Sequence, residues 1–160
     1  KFYANQSLNE IRYMIGSGNI NFSDDFEKMV NEIAQTFETN FGIKTNVYTA
    51  SKKIENLNKK AKTHLIRILQ ESLSNISRHS SASQVEIKII DGIDDFSFII
   101  CDNGQGFDVK EVEQKNKTDS VKHFGLGNIK KRVNIIGGTV EFINKGGLTI
   151  AIKIKDSVYR

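Results

Sequence analysis

The sequence predicts an α+β fold: a two-layer sandwich of about three helices on one face of a mixed, mostly antiparallel five-stranded sheet. Three observations carry this. Helical and extended patterns follow one another as α-β-α-β-β-α-β-β over residues 24–155. Two pairs of neighbouring β-rich runs are separated only by short turns, DGIDD and Gly146-Gly147, so each pair folds back as a hairpin. The apolar residues of each long helical segment gather on one stripe, which leaves each helix a single face to bury.

The elements follow in order. Residues 4–15 read as a helix with Leu8, Ile11, Met14 and Ile15 at 3–4 spacing, broken by Gly16 and Gly18. This segment stands outside the layer pattern and reads as the tail of a preceding helical element. Asp24 with Glu27 makes a capping box for a helix over 24–40, whose apolar face is Phe26, Met29, Val30, Ile33 and Phe37. Ile43–Thr49 is a short strand after the helix-ending Gly42. The longest helical pattern covers 58–79, with Ala61, Leu65, Ile68, Leu69 and Ile76 on one stripe. Gln84–Ile90 and Phe96–Cys101 form the first hairpin. Residues 103–124 are mostly polar and aperiodic, a loop long enough to be functional or disordered. A helix over 127–136 ends at Gly137-Gly138, and strands Thr139–Ile143 and Leu148–Lys155 complete the sheet.

Composition narrows the class. The 160 residues fit one globular domain plus a short extra element, and the 38% hydrophobic and 26% charged fractions are those of a water-exposed globular chain. No apolar run approaches the roughly 18 residues that span a bilayer, and no signal peptide is visible. The chain starts at Lys1 and reads as a fragment of a longer protein, so its parent's relation to a membrane is open. One cysteine, Cys101, excludes an internal disulfide and a multi-cysteine metal site, and its apolar surroundings predict a buried, inert thiol. A net charge of +4 raises nucleic acid as a partner, but the lysines are scattered from Lys1 to Lys155 with no interleaved aromatics. A solvated basic surface, nucleotide phosphates or an acidic protein face account for it better.

Three motifs bear chemistry. In RILQESLSNISRHS, a 3.6-residue period places Glu71, Asn75 and Arg78 within about 60° of one another, beside the apolar stripe. A carboxylate, an amide oxygen and a cation along one edge suit a divalent ion and a phosphate chain; taken alone, the stripe reads equally as a solvated helix border. DNGQGFD, from Asp102 to Asp108, follows a buried strand directly. Its glycines let backbone approach a flat ligand, and Asp102 suits an exocyclic amine, although a plain Asn-Gly turn has the same residues. In FGLGNIKKRV, glycines at a helix mouth present free N–H groups and the positive end of the helix dipole, which suit phosphate. A lone Gly-x-Gly is a turn more often than a site, and this one lacks the features of a Walker loop or a dinucleotide fingerprint.

Order and spacing join the three. ILQESLSNISRHS resembles the N box of the GHKL ATPases, DNGQGFD their first glycine box, and FGLGNIKKRVNIIGGTVEF their second. The chain is most similar in these stretches to sensor histidine kinases of the nitrate-sensor and desaturase-regulator type. LNEIRYMI resembles the end of that family's dimerisation helices. The resemblance implies a Bergerat-type ATP-binding fold over residues 21–160, with 1–20 the C-terminal remnant of the dimerisation and phosphoacceptor domain.

It also implies site roles. Asn75 would ligate Mg²⁺, Glu71 would orient groups at the γ-phosphate, and Arg78 and His79 would contact phosphate or close the pocket. Asp102 would accept the adenine amino hydrogen, with Gly104 and Gly106 against the base. Residues 108–123 would form a lid over the triphosphate, His123 touching phosphate within it. Gly125, Leu126 and Gly127 would supply a hinge and phosphate-binding amides, and Thr149 would lie near adenine. Lys122 stands where many relatives have a further glycine. The family's phosphoacceptor histidine is missing, since His64, His79 and His123 stand in the wrong contexts; His64 is expected to be structural.

The implied activity is therefore ATP·Mg²⁺ binding and γ-phosphoryl transfer to a histidine on a dimerisation helix outside the chain, for relay to a response regulator with a helix-turn-helix output and without direct nucleic-acid contact. The parent would be a homodimer anchored at the membrane with this domain in the cytoplasm. Two alternatives stand beside it: a GHKL serine kinase of the anti-sigma type, against which the helix at 4–15 argues, and an ATP-binding module that transfers nothing.

Overall fold

A computed structural model describes residues 25–106 and 124–156. The helix expected at 4–15, Asp24, most of the long loop and His123 lie outside the described residues. The elements are α1 (Phe26–Phe41), β1 (Lys44–Ala50), a 3₁₀ turn (Lys53–Asn56), α2 (Lys59–Asn75), a π turn (Ile76–Ser80), β2 (Gln84–Asp91), β3 (Asp95–Asp102), α3 (Phe124–Ile135), β4 (Thr139–Asn144) and β5 (Leu148–Lys155). The five strands form one sheet in the order β1-β2-β3-β5-β4. β1 runs parallel to β2, and every other pair is antiparallel. This is the mixed α+β sandwich that the residue pattern predicts.

Period-2 alternation sets the layers. Along β3, Phe96, Phe98, Ile100 and Asp102 are buried while Ser97, Ile99 and Cys101 are only partly so. The buried row meets Val85, Ile87 and Ile89 of β2 and Ile150, Ile152 and Ile154 of β5 beneath the helices. Phe26 of α1 stands edge-on to Phe98 with ring centroids 6.1 Å apart, an arrangement that suits the aromatic quadrupole. The other sheet face has no helix over it among the described residues. Cys101 sits there half-buried, accepting a hydrogen bond from the Thr149 hydroxyl at 3.1 Å, and is not the fully buried thiol expected.

Three boundaries differ from the sequence reading. The α1 cap is Asp25, whose carboxylate accepts the Lys28 N–H at 2.9 Å, so Glu27 falls one position short of closing a capping box. Ala34 joins the buried face, and Ile33 packs against it partly buried. The second helix keeps α geometry only to Asn75 and then widens. Serine hydroxyls accompany the change: Ser72, Ser77 and Ser80 turn back onto the carbonyls of Ile68, Ser74 and Ile76. Ser81, at φ 53°, then ends the helical run in the left-handed region. The third helix starts at Phe124 instead of residue 127, which puts Gly125 and Gly127 inside its first turn.

Candidate functional site

The carboxyl ends of α2 and β3 and the start of β5 meet at one edge of the sandwich. The cleft between them is lined by Ser72, Asn75, Ile76 and His79 from the helix side, Ile100 and Asp102 from β3, Gly106, and Leu148 and Ile150 from β5. Its walls are aliphatic, with Asp102 at the base and Asn75 and His79 at the rim. An apolar slot with a few convergent polar groups suits a flat heterocycle carrying a polar tail.

Asp102 is 3% exposed, one of few buried polar side chains in the described residues. Its two oxygens accept the backbone N–H groups of Gly104 at 2.8 Å and Leu148 at 3.4 Å. Burial pushes its pKa above the ordinary carboxylate value, and those two N–H groups pull partly against the shift. Backbone donors therefore hold the carboxyl in place while leaving lone pairs for a ligand donor.

The turn after Asp102 is tied to the helix side at three points. Asn103 accepts the N–H groups of Ser83 and Gln84 at 3.0 and 2.9 Å and donates to the Ser83 hydroxyl at 3.0 Å. The Gln105 N–H donates to the Ser80 carbonyl at 2.8 Å, and its side-chain amide donates to the His79 carbonyl at 2.9 Å. Gly104 lies so close to Ser80 that a Cβ would overlap the Ser80 carbonyl oxygen. Gly106 packs against the Asn144 side chain.

The polar edge of α2 faces the start of α3. A Cβ on Gly125 would lie 2.6 Å from the Asn75 side-chain nitrogen and 2.9 Å from a Glu71 carboxylate oxygen, so a larger residue there would have to displace both side chains. Leu126 is buried beside them and Gly127 is exposed with open space around it. The first-turn N–H groups of α3 lack intrahelical partners by helix geometry. Asn75 and Glu71 bring an amide oxygen and a carboxylate to one place. No group of three His, Cys, Asp or Glu side chains converges among the described residues. That pair fits Mg²⁺, which binds through one or two protein oxygens and completes its shell with water and phosphate.

The sequence-predicted residues divide accordingly. The cleft gathers Asn75, His79, Asp102 and Gly106; Glu71, Gly104, Gly125 and Leu126 border it. Arg78 is exposed and does not line it, because the π turn rotates Arg78 off the Glu71–Asn75 line and puts His79 there instead. Thr149 is not brought to the cleft: it pairs with Cys101 on the opposite sheet face, and Leu148 points inward in its place. His123 is outside the described residues. His64 is half-buried at the α2 edge, its pKa lowered by burial and by the nearby Arg132 and Lys60.

Residue-by-residue reasoning missed Gly147 and Leu148. Gly147 has φ 122°, and a Cβ there would overlap the Asp102 carbonyl oxygen. The signal was present: period-2 alternation from Ile150, Ile152 and Ile154 back along β5 points Leu148, not Thr149, toward the helices.

The chain belongs to the histidine kinase-, DNA gyrase B- and HSP90-like ATPase family, whose model matches residues 60–158 and so takes in α2, the cleft and all of β2–β5. Within it, the chain is 38% identical over 91 residues to the signal transduction histidine-protein kinase/phosphatase DegS of Bacillus subtilis, a match covering 57% of this chain and 23% of that protein. It is 33% identical over 103 residues to the sensor histidine kinase LiaS of the same organism, covering 64% of this chain and 27% of the relative. The matches thus span about a quarter of these relatives' length. The histidine kinase domain of the Erythrobacter litoralis blue-light activated kinase shares the fold, with a TM-score of 0.60 at 16% identity over 96% of this chain and 72% of that one.

Proposed function

We propose that this chain is the ATP-binding catalytic domain of a two-component sensor histidine kinase of the nitrate-sensor/desaturase-regulator type. In this reading it binds ATP with Mg²⁺ and directs the γ-phosphoryl group to a histidine of a dimerisation helix. Residues 1–20 are the end of that helical domain, and residues 21–160 the catalytic domain. The partners are the dimerisation helices and a response regulator with a helix-turn-helix output, the parent being a membrane-attached homodimer with this domain in the cytoplasm. Among the described residues no helix is long and apolar enough to cross a membrane.

One observation carries the reading. A buried carboxylate held by backbone N–H groups, Asp102, shares a cleft with the Asn75 amide, and glycine-permitted contacts tie both to their neighbours. Asp102 accepts the exocyclic amino hydrogen of adenine, a contact guanine does not offer at that position. Ile100, Leu148 and Ile150 exclude water around the base. Asn75 and Glu71 would hold Mg²⁺, which when bound would supply charge neutralisation at the phosphate chain. The α3 first-turn amides of Gly125, Leu126 and Gly127 orient the phosphate tail, with His79 at the rim. In the transfer, the bond from the γ-phosphorus to the β,γ-bridging oxygen breaks, ADP departs with that electron pair, and an imidazole nitrogen forms the new P–N bond.

Calorimetry of the wild-type chain with ATP, with and without Mg²⁺, tests this. Asp102→Ala should weaken binding by about 10- to 100-fold under both conditions, as expected for one buried hydrogen bond to a charged group. Asn75→Ala should remove the gain that Mg²⁺ confers. Wild-type affinity surviving both substitutions would sink the assignment.

A further inference from the structure

Where a helix ends, its last carbonyls lack partners within it and must find them elsewhere. The helical run that begins with α2 ends in the π turn Ile76–Ser80, and two of its final carbonyls are satisfied from across the cleft. Ser80 O accepts the main-chain N–H of Gln105, and His79 O accepts the Gln105 side-chain amide at 2.9 Å. Gln105 is exposed and does not line the cleft. It stands three residues after Asp102, while His79 stands four residues after Asn75. A single side chain therefore joins the segment carrying the carboxylate to the segment carrying the amide.

We infer that Gln105 is a positioning residue that sets the separation between the Asp102 and Asn75 ends of the cleft by capping the π turn through His79 O. The inference rests on the functional reading above and adds a residue that touches neither base nor metal in it. Its physical basis is that the π turn leaves the α-helical ladder, so its last carbonyls take partners from outside the helix. On the Asp102 side the turn is held independently by the Asn103 clamp on Ser83 and Gln84 and by the Gly104 and Leu148 N–H groups on the Asp102 carboxyl. Loss of the Gln105 side-chain donor removes the bond to the His79 carbonyl on the Asn75 side and leaves the bonds that hold Asp102 in place. A ligand that engages only the Asp102 end is little affected. A ligand that must reach Asn75 at the same time loses affinity.

The test compares ATP affinity with and without Mg²⁺ in the wild-type chain and in Gln105→Ala, Gln105→Glu and Gln105→Lys, together with the thermal midpoint of each. Glutamate keeps the length but cannot donate to His79 O; lysine restores a donor. The expected result is that the affinity gain conferred by Mg²⁺ falls about fivefold in Gln105→Ala, the worth of one ordinary hydrogen bond. It should fall at least as far in Gln105→Glu and recover in Gln105→Lys, while Mg²⁺-free affinity and thermal midpoint stay near wild type. An unchanged gain in both donor-lacking variants overturns the inference. So does a parallel drop in midpoint and in both affinities, which would make Gln105 a purely structural cap. Failure of the wild-type chain to bind ATP under either condition overturns the functional reading itself, and is distinguished by appearing before any substitution.

Discussion

Asp102 is the residue on which stability and function pull in opposite directions. Its carboxyl is buried against Ile100 and Leu148, and burial raises its pKa above the ordinary value. A carboxylate whose folded-state pKa lies above its unfolded value favours the fold below the unfolded pKa. That contribution disappears as pH rises through the folded pKa. Once ionised, the buried side chain is thus a liability, while in the proposed function its oxygens offer acceptors and no donor to an incoming amine. Asp102→Asn sheds the charge but turns an amide N–H toward one of the two backbone N–H groups, so its midpoint should shift upward relative to wild type as the pH rises from about 4 toward neutral, the charge-dependent gap narrowing again on acidification. The same variant should bind ATP less well. Melting curves across that pH range check the first expectation, and a gap that widens on acidification would contradict the assigned origin of the shift.

At the scale of elements, the cleft exists because turns and helix ends are pressed closer than side chains permit. The β4–β5 turn shows this best. Gly147 adopts φ 122° directly over the Asp102 backbone, and Leu148, next along the chain, donates its N–H to the Asp102 carboxyl. Alanine at 147 suffers both the backbone strain of that region and the overlap with the Asp102 carbonyl. Gly147→Ala should cost about 1–3 kcal/mol or more in denaturant unfolding and weaken ATP binding through displacement of Asp102. Gly127→Ala, with open space around it, is the control expected to change stability little, since alanine is preferred to glycine in a helix. Equal stability of the two variants would show that the turn is freer to relax than its geometry suggests. The π turn makes the same point from the helix side: its last carbonyls, of His79 and Ser80, take their bonds from Gln105 in the Asp102 turn.

Taken as a whole, the molecule separates scaffold from chemistry. α1 and the distant half of the sheet make core, while the α2–α3 pair and the ends of β3 and β5 make the cleft. The helix layer is also electrically uneven. α1 carries Glu27, Glu32 and Glu38 against Lys28, whereas α2 and α3 carry Lys59, Lys60, Lys62, Arg67, Lys130, Lys131 and Arg132 against Glu71 alone. Lys59, Lys60 and Lys62 lie at the end of α2 remote from Asn75, so this charge acts on a polyanionic ligand from the helix layer at large and not from the cleft lining. For the proposed activity, γ-labelled ATP, this chain and a separately supplied dimerisation segment bearing the phosphoacceptor histidine should yield label on that segment. The label should be lost in acid and kept in alkali, as a P–N bond requires. Acid-stable label on a serine would favour the anti-sigma type of kinase, and no label with intact ATP binding would favour a module that only binds nucleotide.

The sequence by itself determined the element order, the buried faces of the helices and the three motifs that meet at the cleft. These are written in relations between near neighbours: a 3.6-residue stripe, a period-2 alternation, a glycine beside an aspartate. Asn75 and Asp102 were legible for that reason, and so was the inward direction of Leu148, had β5 been read backward from its isoleucines. Only the tertiary structure decided where α2 stops being an α-helix, that α3 begins early enough to seat Gly125 on Asn75 and Glu71, and that His79 rather than Arg78 reaches the rim. It also decided that Gly147 lies against Asp102 and that Thr149 does not face the cleft. Each of these depends on contacts between residues far apart in the chain, 46 positions for Leu148 and Asp102 and 26 for Gln105 and His79. Their energies arise when the layers close, and local propensity carries no record of them.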